Sequence, residues 1–473
     1  MDSQLQSKEV KITFYGGTEN VTGANFLLET EEAGKTLRIL VDCGLFQGTN
    51  KEERQNLDPF LYDPATIDAV FVTHAHMDHI GRLPVLIKNG YTGPVYSTPP
   101  TEDISLIAFN DTIGLMSLKN KKRKAKSNHQ EKAEIPPLFD EKDLSKLMSQ
   151  WKTFGYHQPI KIGEFSIVLR DAGHILGSAM VEFTYGSKKI LFTGDLGNSP
   201  TPLLRDTEAV TDADYLIMES VYGDRNHENK EDRRNKLEDI IEDTMKKNGT
   251  LLIPAFSIER TQELLYEIEN MMENSTIPLF PVFLDSPMAI RVTEVYKKYS
   301  DYLNKETNSI IKEGDGIFKF VQFHQTLTTE ESKAINLTSS RKIIMAGSGM
   351  SNGGRIIHHE KRYLPDSKNT ILLAGYQSVG SLGRLIQDGT RVIKILGQEV
   401  PINAKVVSLS GYSAHKDSDG LFEFVHQTVD SVKKVFVVMG EPRASLFLVQ
   451  RLRDYLGVDA IAPKYKETVS IKL

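Results

Sequence analysis

Three histidines and an aspartate crowd into the segment THAHMDHIGRLP at residues 73–84. His74 and His76 are two positions apart, so in an extended turn their side chains point the same way and can hold one metal ion. Asp78 and His79 then face a neighbouring position, which predicts a second ion. Histidine and carboxylate ligands are typical of catalytic zinc and of dinuclear hydrolytic sites. Alternatively, these histidines could be exposed to solvent or hydrogen-bonded within the fold without binding a metal. The apolar strand that precedes the segment disfavours this alternative.

Two further candidate ligands follow apolar runs beside a glycine: His174 in DAGHILGSA and Asp195 in FTGDLG. Strand ends are where sheets gather ligands, so His174 can complete the shell of the first ion and Asp195 can bridge both ions. Taken singly, each residue is equally well explained as a loop cap. Asp42 in LVDCG occupies the same kind of position, and we expect it to orient a ligand histidine.

The chain alternates between two styles of secondary structure. From Val10 short strands end near glycine or polar residues, and helices are predicted at about 101–121 and 141–154, joined by an exposed loop over 122–140. The letters YGSK at 185–188 predict a hairpin turn. Beyond about residue 220 strands alternate with long amphipathic helices, which predicts a mostly parallel sheet flanked by helices.

The composition excludes several other classes of protein. With 473 residues the chain exceeds the usual size of a single core, so we expect two domains or one domain with a large insertion. The single cysteine, Cys43, excludes an internal disulfide framework and a thiolate zinc site. Apolar runs fall short of a bilayer span and the first residues do not resemble a signal peptide, so we expect a cytoplasmic protein with no membrane partner.

The charge balance limits how the protein can bind nucleic acid. The net charge is −6 at pH 7 and the pI is near 6.1, so any RNA has to be held by a local groove. The strongest basic run is KNKKRKAK at 119–126. We interpret it as a solvated helix end or loop, with phosphate binding as the less favoured alternative.

The order VDCG, THAHMDH, AGHILGSA and FTGDLG resembles the metallo-β-lactamase superfamily of hydrolases. The resemblance implies an α/β protein with a four-layer αββα fold and two zinc ions. The ligands it implies are His74, His76, Asp78, His79, His174 and Asp195. The fold does not determine the substrate, because relatives cleave lactams, thioesters and phosphodiesters.

The second half of the chain narrows the resemblance to one branch of that superfamily. The blocks MESVYGDR, PAFSIERTQELL, DSPMA, AGSGMSNGGRIIHH, GYQSVGSLGRLI and GYSAHKD are similar to those of the β-CASP nucleases. That branch processes RNA and includes the bacterial and archaeal relatives of the cleavage and polyadenylation endonuclease. The resemblance implies a β-CASP domain at 222–402, inserted between two parts of a metallo-β-lactamase domain at 1–221 and 403–473. It also implies RNA as the partner and allows a homodimer.

Cleavage of a phosphodiester needs a nucleophile, charge stabilisation and a proton for the departing oxygen. A two-metal site supplies the first two through a metal-activated hydroxide and a clamp on the phosphate. The resemblance implies that His415 donates the proton and that Glu219 orients or charges it, with Asp78 counted as a third catalytic residue because it binds the second ion. On local sequence alone, a helix cap and a strand-end cap would explain His415 and Glu219.

RNA contacts are predicted mainly in the inserted domain. The turn GSGMSNGGR contains Ser348 and Gly349, and its backbone N–H groups together with Arg355 suit a phosphate. Arg260 and Arg225 add positive charge. We therefore predict a zinc-dependent ribonuclease, with endonucleolytic action favoured over exonucleolytic action.

One residue departs from the family pattern. The resemblance implies a histidine ligand of the second zinc before the Gly-Glu of VFVVMGEP, where this chain has Met439. A thioether is a poor partner for Zn²⁺, so the second site is predicted to bind zinc more weakly, and Mn²⁺ can take its place. Alternatively, Met439 packs against the last helix, and such packing is compatible with weaker zinc binding at the second site.

Two other functions stay open. The first is an RNA-binding homologue with weak or absent catalysis because of Met439. The second is a small-molecule ester or thioester hydrolase, which the large inserted domain disfavours because a small substrate does not need it.

Overall fold

The computed structural model describes residues 8–48, 50–126, 137–228, 230–313, 316–378 and 380–473. These residues form two compact units. The first comprises the described residues up to Gly197 together with Asp206–Asn226 and His415–Leu473, and the second comprises Asn198–Arg205 and His227–Ala414. The domain boundaries predicted from the sequence, 221/222 and 402/403, stay a prediction.

The strands, in chain order, are β1 Glu9–Phe14, β2 Phe26–Glu32, β3 Lys35–Val41, β4 Ala69–Phe71, β5 Val95–Ser97, β6 Trp151–Thr153, β7 Ile160–Ile162, β8 Phe165–Asp171, β9 Ala179–Tyr185, β10 Lys188–Phe192, β11 Tyr215–Met218, β12 Thr250–Pro254, β13 Val282–Asp285, β14 Phe323–Gln325, β15 Lys342–Ala346, β16 Thr370–Leu373, β17 Val392–Ile395, β18 Gln398–Pro401, β19 Lys405–Ser408, β20 Lys434–Val437, β21 Ala460–Ile461 and β22 Thr468–Lys472.

The α-helices are α1 Asn50–Gln55, α2 Met77–Ile80, α3 Leu83–Lys88, α4 Pro99–Lys126, α5 Glu141–Gln150, α6 Lys230–Lys246, α7 Arg260–Glu273, α8 Pro287–Lys298, α9 Lys305–Lys312, α10 Thr329–Ala334, α11 Ile356–Tyr363, α12 Leu382–Gln387, α13 Ser418–His426 and α14 Pro442–Leu456. Short 3-10 helices lie at Pro64–Thr66, Ser300–Tyr302, Ile335–Leu337 and Ser410–Tyr412.

Two mixed sheets form the first unit. The order in one is β22-β1-β2-β3-β4-β5-β6, and the order in the other is β21-β20-β11-β10-β9-β8-β7. In the first sheet β3, β4, β5 and β6 run parallel, while β22, β1, β2 and β3 pair antiparallel. The second sheet repeats this arrangement, with β10, β11, β20 and β21 parallel and β7 to β10 antiparallel.

The main core of this unit lies between the two sheets. Aromatic rings meet across it: Phe71 of β4 contacts Phe183 of β9 with ring centroids 5.7 Å apart, and Phe14 of β1 contacts Phe436 of β20 at 5.9 Å. Burial of this apolar surface is the largest stabilising contribution that the sequence supplies here. Val70, between Ala69 and Phe71, is buried on the other face of its sheet.

Helices cover the outer faces of both sheets. Leu421 and Val425 of α13 and Leu448 and Leu452 of α14 pack in a second core against the outer residues of β11 and β20. On the first sheet α4 contacts β6, and α5 contacts α3 and α4. These layers are the αββα arrangement that the sequence motifs predicted, and that prediction is confirmed.

An all-parallel sheet of six strands organises the second unit, in the order β14-β13-β15-β12-β16-β19. Its central strands are continuous apolar runs such as TLLIP, buried along their whole length, as expected for a sheet covered on both faces. The strands β17 and β18 form a separate hairpin. The predicted α/β insertion with a mostly parallel sheet is therefore confirmed.

Several predicted elements differ in their limits. The hairpin at YGSK is present, joining β9 to β10. The helix predicted to end near residue 121 continues to Lys126, so the loop predicted over 122–140 begins later, and 127–136 lie outside the described residues. The side chains of the basic run at 119–126 likewise lie outside the description. The helix predicted over 141–154 ends at Gln150, because Trp151–Thr153 forms β6 and pairs with β5.

Candidate metal centre and active site

The candidate site residues of the first unit follow the ends of neighbouring strands. Asp42 follows β3 and His74 follows β4 in one sheet, whereas His174 follows β8, Asp195 follows β10 and Glu219 follows β11 in the other. Chain reversals after each strand bring these polar side chains together at the strand ends, beyond the apolar core.

Four side chains form a tight group. Nδ1 of His76 lies 3.1 Å from Nε2 of His74 and 3.3 Å from Nε2 of His174. Oδ2 of Asp195 lies 3.4 Å from Nε2 of His74 and 3.5 Å from Nε2 of His174. All four atoms lie within 4.8 Å of one another. The structure thus brings together the three histidines and the aspartate that were predicted to hold the first ion.

The spacing of these four atoms fits a metal ion. Ligand atoms at the corners of a tetrahedron, about 2.0 Å from a central ion, are about 3.3 Å apart. Burial lowers the pKa of His74, His76 and His174, so their imidazoles are neutral and present lone pairs rather than a cluster of charges. The group is therefore a divalent-metal site by its donor set and by its spacing.

A second pair of donors lies next to the first group. Nε2 of His79 and Oδ1 of Asp195 are 3.4 Å apart, and both are buried without a hydrogen-bond partner among the described residues. Buried polar atoms are rarely left without a partner, so a ligand is expected between them. Because Oδ2 of Asp195 belongs to the first group, its carboxylate has the arrangement of a bridge between two ions. Asp78 is close enough to His79 and Asp195 for their charges to affect its pKa, which burial raises.

Asp42 and Thr73 support this second pair. Nδ1 of His79 donates to Oδ2 of Asp42 at 2.7 Å, which orients the ring so that the other nitrogen, Nε2, faces Asp195. Burial opposes charge on this imidazole, but the carboxylates of Asp195 and Asp42 raise the pKa of His79 well above its usual value, so a bound metal ion would take the place of the Nε2 proton. Asp42 also accepts from the backbone N–H of Thr73 at 2.8 Å and from its hydroxyl at 2.7 Å. The sequence predicted the orienting role of Asp42 but missed Thr73, whose position between the strand and the first histidine was the available signal.

His415 and Glu219 lie beside the metal ligands. Nδ1 of His415 is 3.2 Å from Oε2 of Glu219 and 3.9 Å from Oδ2 of Asp195. Burial lowers the pKa of His415, but the Glu219 carboxylate outweighs it and raises this pKa to about 9. Backbone pairing fixes the segment, since Gly197 and His415 form an isolated antiparallel bridge and the N–H of Lys416 donates to the carbonyl of Leu196. His415 is thus held next to Asp195 in a protonated form.

Met439 follows β20 and is only 2% exposed. Its backbone N–H donates to the carbonyl of Gly17, and a side chain at Gly17 would meet its sulfur at 2.6 Å. The methionine belongs to the core between the two sheets, together with Phe26. The expectation that it packs against the last helix is wrong, because the apolar residues of α14 belong to the separate outer core.

The predicted RNA-binding arginines are already engaged within their own units. Arg260 is 4% exposed and donates to Glu263. Arg355 donates to Asp285 at 2.7 Å and to the carbonyls of Thr326 and Leu327. Arg225 lies over the ring of Tyr222, with 5.1 Å between the guanidinium carbon and the ring centroid. Their role as RNA contacts stays a prediction.

The predicted turn at Ser348 and Gly349 lies at the carboxyl edge of the parallel sheet. The connections after the adjacent strands β12 and β15 leave in opposite directions, toward β13 and β16, and in open parallel sheets a crevice for ligands is expected at such a point. Ser257 follows β12 and Ser286 follows β13, with 3.3 Å between their hydroxyl oxygens. A side chain at Gly347 would lie 3.4 Å from the hydroxyl of Ser286. The sequence analysis missed both serines.

Comparison with protein families agrees with this architecture. A metallo-beta-lactamase superfamily domain matches residues 27–217, a Beta-Casp domain matches residues 261–386, and a Zn-dependent metallo-hydrolase RNA specificity domain matches residues 399–463. A crystal structure of a protein of unknown function from Enterococcus faecalis has a TM-score of 0.57 and 14% identity, and it covers 98% of this chain and 100% of its own. That likeness shows the fold alone.

Similar proteins extend over nearly the whole chain. A ribonuclease of Thermus thermophilus is 35% identical over 462 residues, which are 98% of this chain and 100% of the relative. An RNase J-like protein of Methanocaldococcus jannaschii is 30% identical over 96% of this chain and 98% of its own. The transcription termination factor FttA of Methanosarcina mazei is 31% identical over 98% of this chain and 72% of its own.

The layered sheets and the histidine–aspartate group together define a metal-dependent hydrolase of the metallo-β-lactamase type. The matched domains and the relatives make the assignment narrower: the chain belongs to the β-CASP branch of the metallo-β-lactamase superfamily. The resemblance seen in the sequence motifs is confirmed. Among the described residues, no helix is both long enough and apolar enough to cross a membrane.

Proposed function

We propose that this protein is a zinc-dependent ribonuclease that hydrolyses phosphodiester bonds at internal positions of an RNA strand. The observation that carries the proposal is the position of Asp195, with one carboxylate oxygen in the group of three histidines and the other 3.4 Å from His79. A carboxylate shared in this way is the arrangement that two-metal hydrolysis of phosphate esters uses. The relatives named as a ribonuclease and as RNase J-like support RNA as the substrate class.

The residues of this chain divide the chemistry among them. When bound, zinc supplies a nucleophile at neutral pH and neutralises charge on the phosphate. His74, His76 and His174 would hold the first ion, Asp78 and His79 the second, and Asp195 both. His415 carries the proton for the departing oxygen, and Glu219 keeps that imidazole protonated and oriented through their 3.2 Å contact.

Two zinc ions would differ in how tightly they are held. The first would have three imidazoles and a carboxylate, whose ligand atoms lie within 4.8 Å of one another. The second would have His79, Asp78 and Asp195, because the thioether of Met439 packs in the core and is a soft, neutral donor. The second ion would therefore exchange more readily, and Mn²⁺ could replace it.

The crevice of the second unit binds RNA phosphate in this proposal. The serine hydroxyls at 257, 286 and 348 and the backbone at Gly349 provide neutral donors around a space at the sheet edge. Arg260 and Arg355 belong to the same unit and are proposed as RNA contacts, although each is paired with a carboxylate within the unit. Arg225, in the first unit, is proposed as a separate RNA contact. We further propose a cytoplasmic protein, and a homodimer as its assembly.

A second candidate function is an RNA-binding protein with weak or absent catalysis. The specific observation that favours it is again Met439, which leaves the second ion without an imidazole from that strand end. A small-molecule esterase has no such support, because it makes no use of the second unit or of the RNA specificity domain.

Incubation of circular and linear forms of one labelled RNA with the purified protein and zinc tests the proposal. Linear products from the circle establish internal cleavage, whereas degradation of the linear RNA alone establishes an exonuclease. Chelated protein and His76→Ala protein serve as controls, because both remove metal from the group of three histidines. RNA binding without cleavage at any concentration of zinc or manganese would favour the second candidate. The absence of both RNA binding and RNA cleavage would contradict both candidate functions.

A further inference from the structure

An unusual backbone turn lies just before α7. The N–H of Arg260 donates to the carbonyl of Ile258 at 2.9 Å, which closes a three-residue γ-turn around Glu259. Glu259 has φ 67 and ψ −60, a conformation that is rare and strained for a residue with a side chain. Strain of this kind persists only where the surrounding contacts hold it, and it is often found at functional positions.

The side chain of Glu259 provides such a contact. The residue is 3% exposed, and its Oε2 accepts a hydrogen bond from the hydroxyl of Tyr296 on α8. Its Oε1 has no hydrogen-bond partner among the described residues. Burial raises the pKa of Glu259 to about 8, with the nearby Glu263 adding to the effect and with the Tyr296 hydrogen bond and Arg260 opposing it. The carboxyl is therefore mostly protonated at neutral pH, facing Arg260 and Glu263 of α7 and Tyr296 of α8.

The turn holds the loop at residues 256–258, which follows β12. The hydroxyl of Thr261 donates to the carbonyl of Phe256 at 2.7 Å, and the side-chain amide of Gln262 donates to the carbonyl of Ser257 at 3.2 Å. The ring of Phe256 lies directly beneath the glycine turn, since a side chain at Gly349 would meet it at 2.6 Å. The segment 256–262 thus places Phe256 against the glycine turn and fixes the backbone of Ser257 next to it.

We propose that Glu259 is a positioning residue for RNA binding, whose buried carboxyl group, hydrogen-bonded by Tyr296, holds the γ-turn that presents Phe256 and Ser257 to the crevice. This inference rests on the proposed binding of RNA phosphate at that crevice. The carboxyl does not touch RNA. It acts through Tyr296 and the turn, and ionisation would place a negative charge beside Glu263 in a buried setting.

Steady-state cleavage of a labelled RNA by the zinc-loaded protein tests the inference, with KM and kcat measured from pH 7 to pH 9. Glu259→Gln keeps the size and hydrogen-bonding capacity of the neutral acid. We expect its KM to equal that of the unaltered protein at pH 7 and to lack the rise that the unaltered protein shows above about pH 8. Glu259→Ala and Tyr296→Phe each remove the contact, and we expect KM to increase about 3- to 10-fold with little change in kcat.

Two serine variants separate this inference from the proposal on which it rests. If Ser257→Ala and Ser348→Ala leave KM unchanged, the crevice does not bind RNA and that part of the proposed function fails. If those serine variants raise KM while the Glu259 and Tyr296 variants do not, RNA binding at the crevice is supported and the positioning role of Glu259 is contradicted. Should Glu259→Ala not fold, the comparison of Glu259→Gln with the unaltered protein still decides. An identical rise of KM above pH 8 in both would contradict the inference.

Discussion

At the scale of single residues, both carboxylate oxygens of Asp195 lie close to candidate metal ligands. Its Oδ2 lies against His74 and His174, and its Oδ1 lies against His79. Although burial opposes ionisation, the imidazoles of His79 and His74 hold the pKa of Asp195 well below its usual range. The residue is thus an ionised, buried carboxylate whose two oxygens serve two different groups of ligands.

Asp195→Asn is expected to lower the occupancy of both metal positions, because an amide offers one weaker oxygen in place of a shared carboxylate. Elemental analysis of dialysed protein is the measurement, beside a thermal melt to verify the fold. Asp212→Asn is the matched control, since its side chain is 58% exposed and pairs with Lys189 at the surface. Retention of both ions by Asp195→Asn would contradict the bridging role.

His415→Ala is expected to retain its metal and to lose about 10²- to 10⁴-fold in cleavage rate, the usual effect of removing a general acid. A substrate with an activated leaving group needs no proton, so it should be cleaved at a nearly normal rate by this variant. Rates on the two substrates, together with metal content, make the test. Loss of metal would instead identify His415 as a ligand, and the absence of rescue would argue against proton donation.

Met439→His is expected to tighten the second ion and to raise RNA cleavage when metal is scarce, because an imidazole replaces a thioether. The side chain lies beside Gly17 and Phe26 in the core, so a histidine must leave that core to reach the ion. Zinc titration with a competing chelator measures the affinity. Met439→Leu keeps the apolar packing and should behave like the unaltered protein. Equal zinc affinity in all three would mean that the departure has no consequence for metal binding.

At the scale of secondary-structure elements, Asp285 connects three parts of the second unit. Its fully buried carboxylate accepts from the hydroxyls of Thr326 and Ser332 at 2.6 Å, and from Arg355 and His359 at 2.7 Å. These donors come from the segment after β14 and from the beginning of α11. Burial opposes ionisation, but the four donors hold the pKa of Asp285 well below its usual value.

Asp285→Asn is expected to reduce the free energy of unfolding by about 3 kcal/mol at neutral pH, since buried charged donors lose their partner. Denaturant unfolding at several pH values measures this. A depressed pKa stabilises the folded state above the unfolded value, near pH 4, and the benefit is lost as the pH falls below it. The difference between the two proteins should therefore be full at pH 6 and shrink below about pH 4. Asp301→Asn, with a side chain 79% exposed, is the control and should show no such loss.

Other elements show why part of the secondary structure escaped sequence analysis. The segment DLSKLMSQWKT continues a helical pattern, yet Trp151–Thr153 is a strand. Its partner β5 lies at Val95–Ser97, and the indole N–H of Trp151 donates to the hydroxyl of Ser97 at 2.8 Å. A strand of three residues is stable only through such a distant partner, which local periodicity does not reveal.

At the scale of the whole molecule, the metal ligands stand apart from the apolar cores. None of the proposed ligands belongs to the core between the sheets or to the core of the second unit, which are built from apolar side chains. Removal of metal by a chelator is therefore expected to abolish cleavage while the far-ultraviolet circular dichroism stays unchanged, with only the melting temperature lowered through lost ligand binding. Reloading with zinc should restore activity. Unfolding on chelation would show that the ions are structural instead.

The family, the layered fold and the candidate metal ligands could all be predicted from the amino-acid sequence. The reason is that His74, His76, Asp78 and His79 follow an apolar strand at a spacing that is visible in the sequence, so the local structure of this segment could be predicted without knowing its distant neighbours. The blocks around Glu219 and His415 added the β-CASP branch in the same manner.

The contacts between groups that are distant along the chain could be read only from the three-dimensional structure. In the structure the hydroxyl of Thr73 donates to Asp42, and the hydroxyls of Ser257 and Ser286 lie side by side. Met439 belongs to the core between the sheets, whereas the apolar residues of α14 belong to the outer core. The structure also showed that Arg260 is engaged by Glu263 and that Glu259 is buried in a strained turn. The physical reason is that charge, burial and hydrogen bonding depend on neighbours in space, and most of those neighbours, such as Asp42 for Thr73 and Tyr296 for Glu259, lie tens of residues away along the chain.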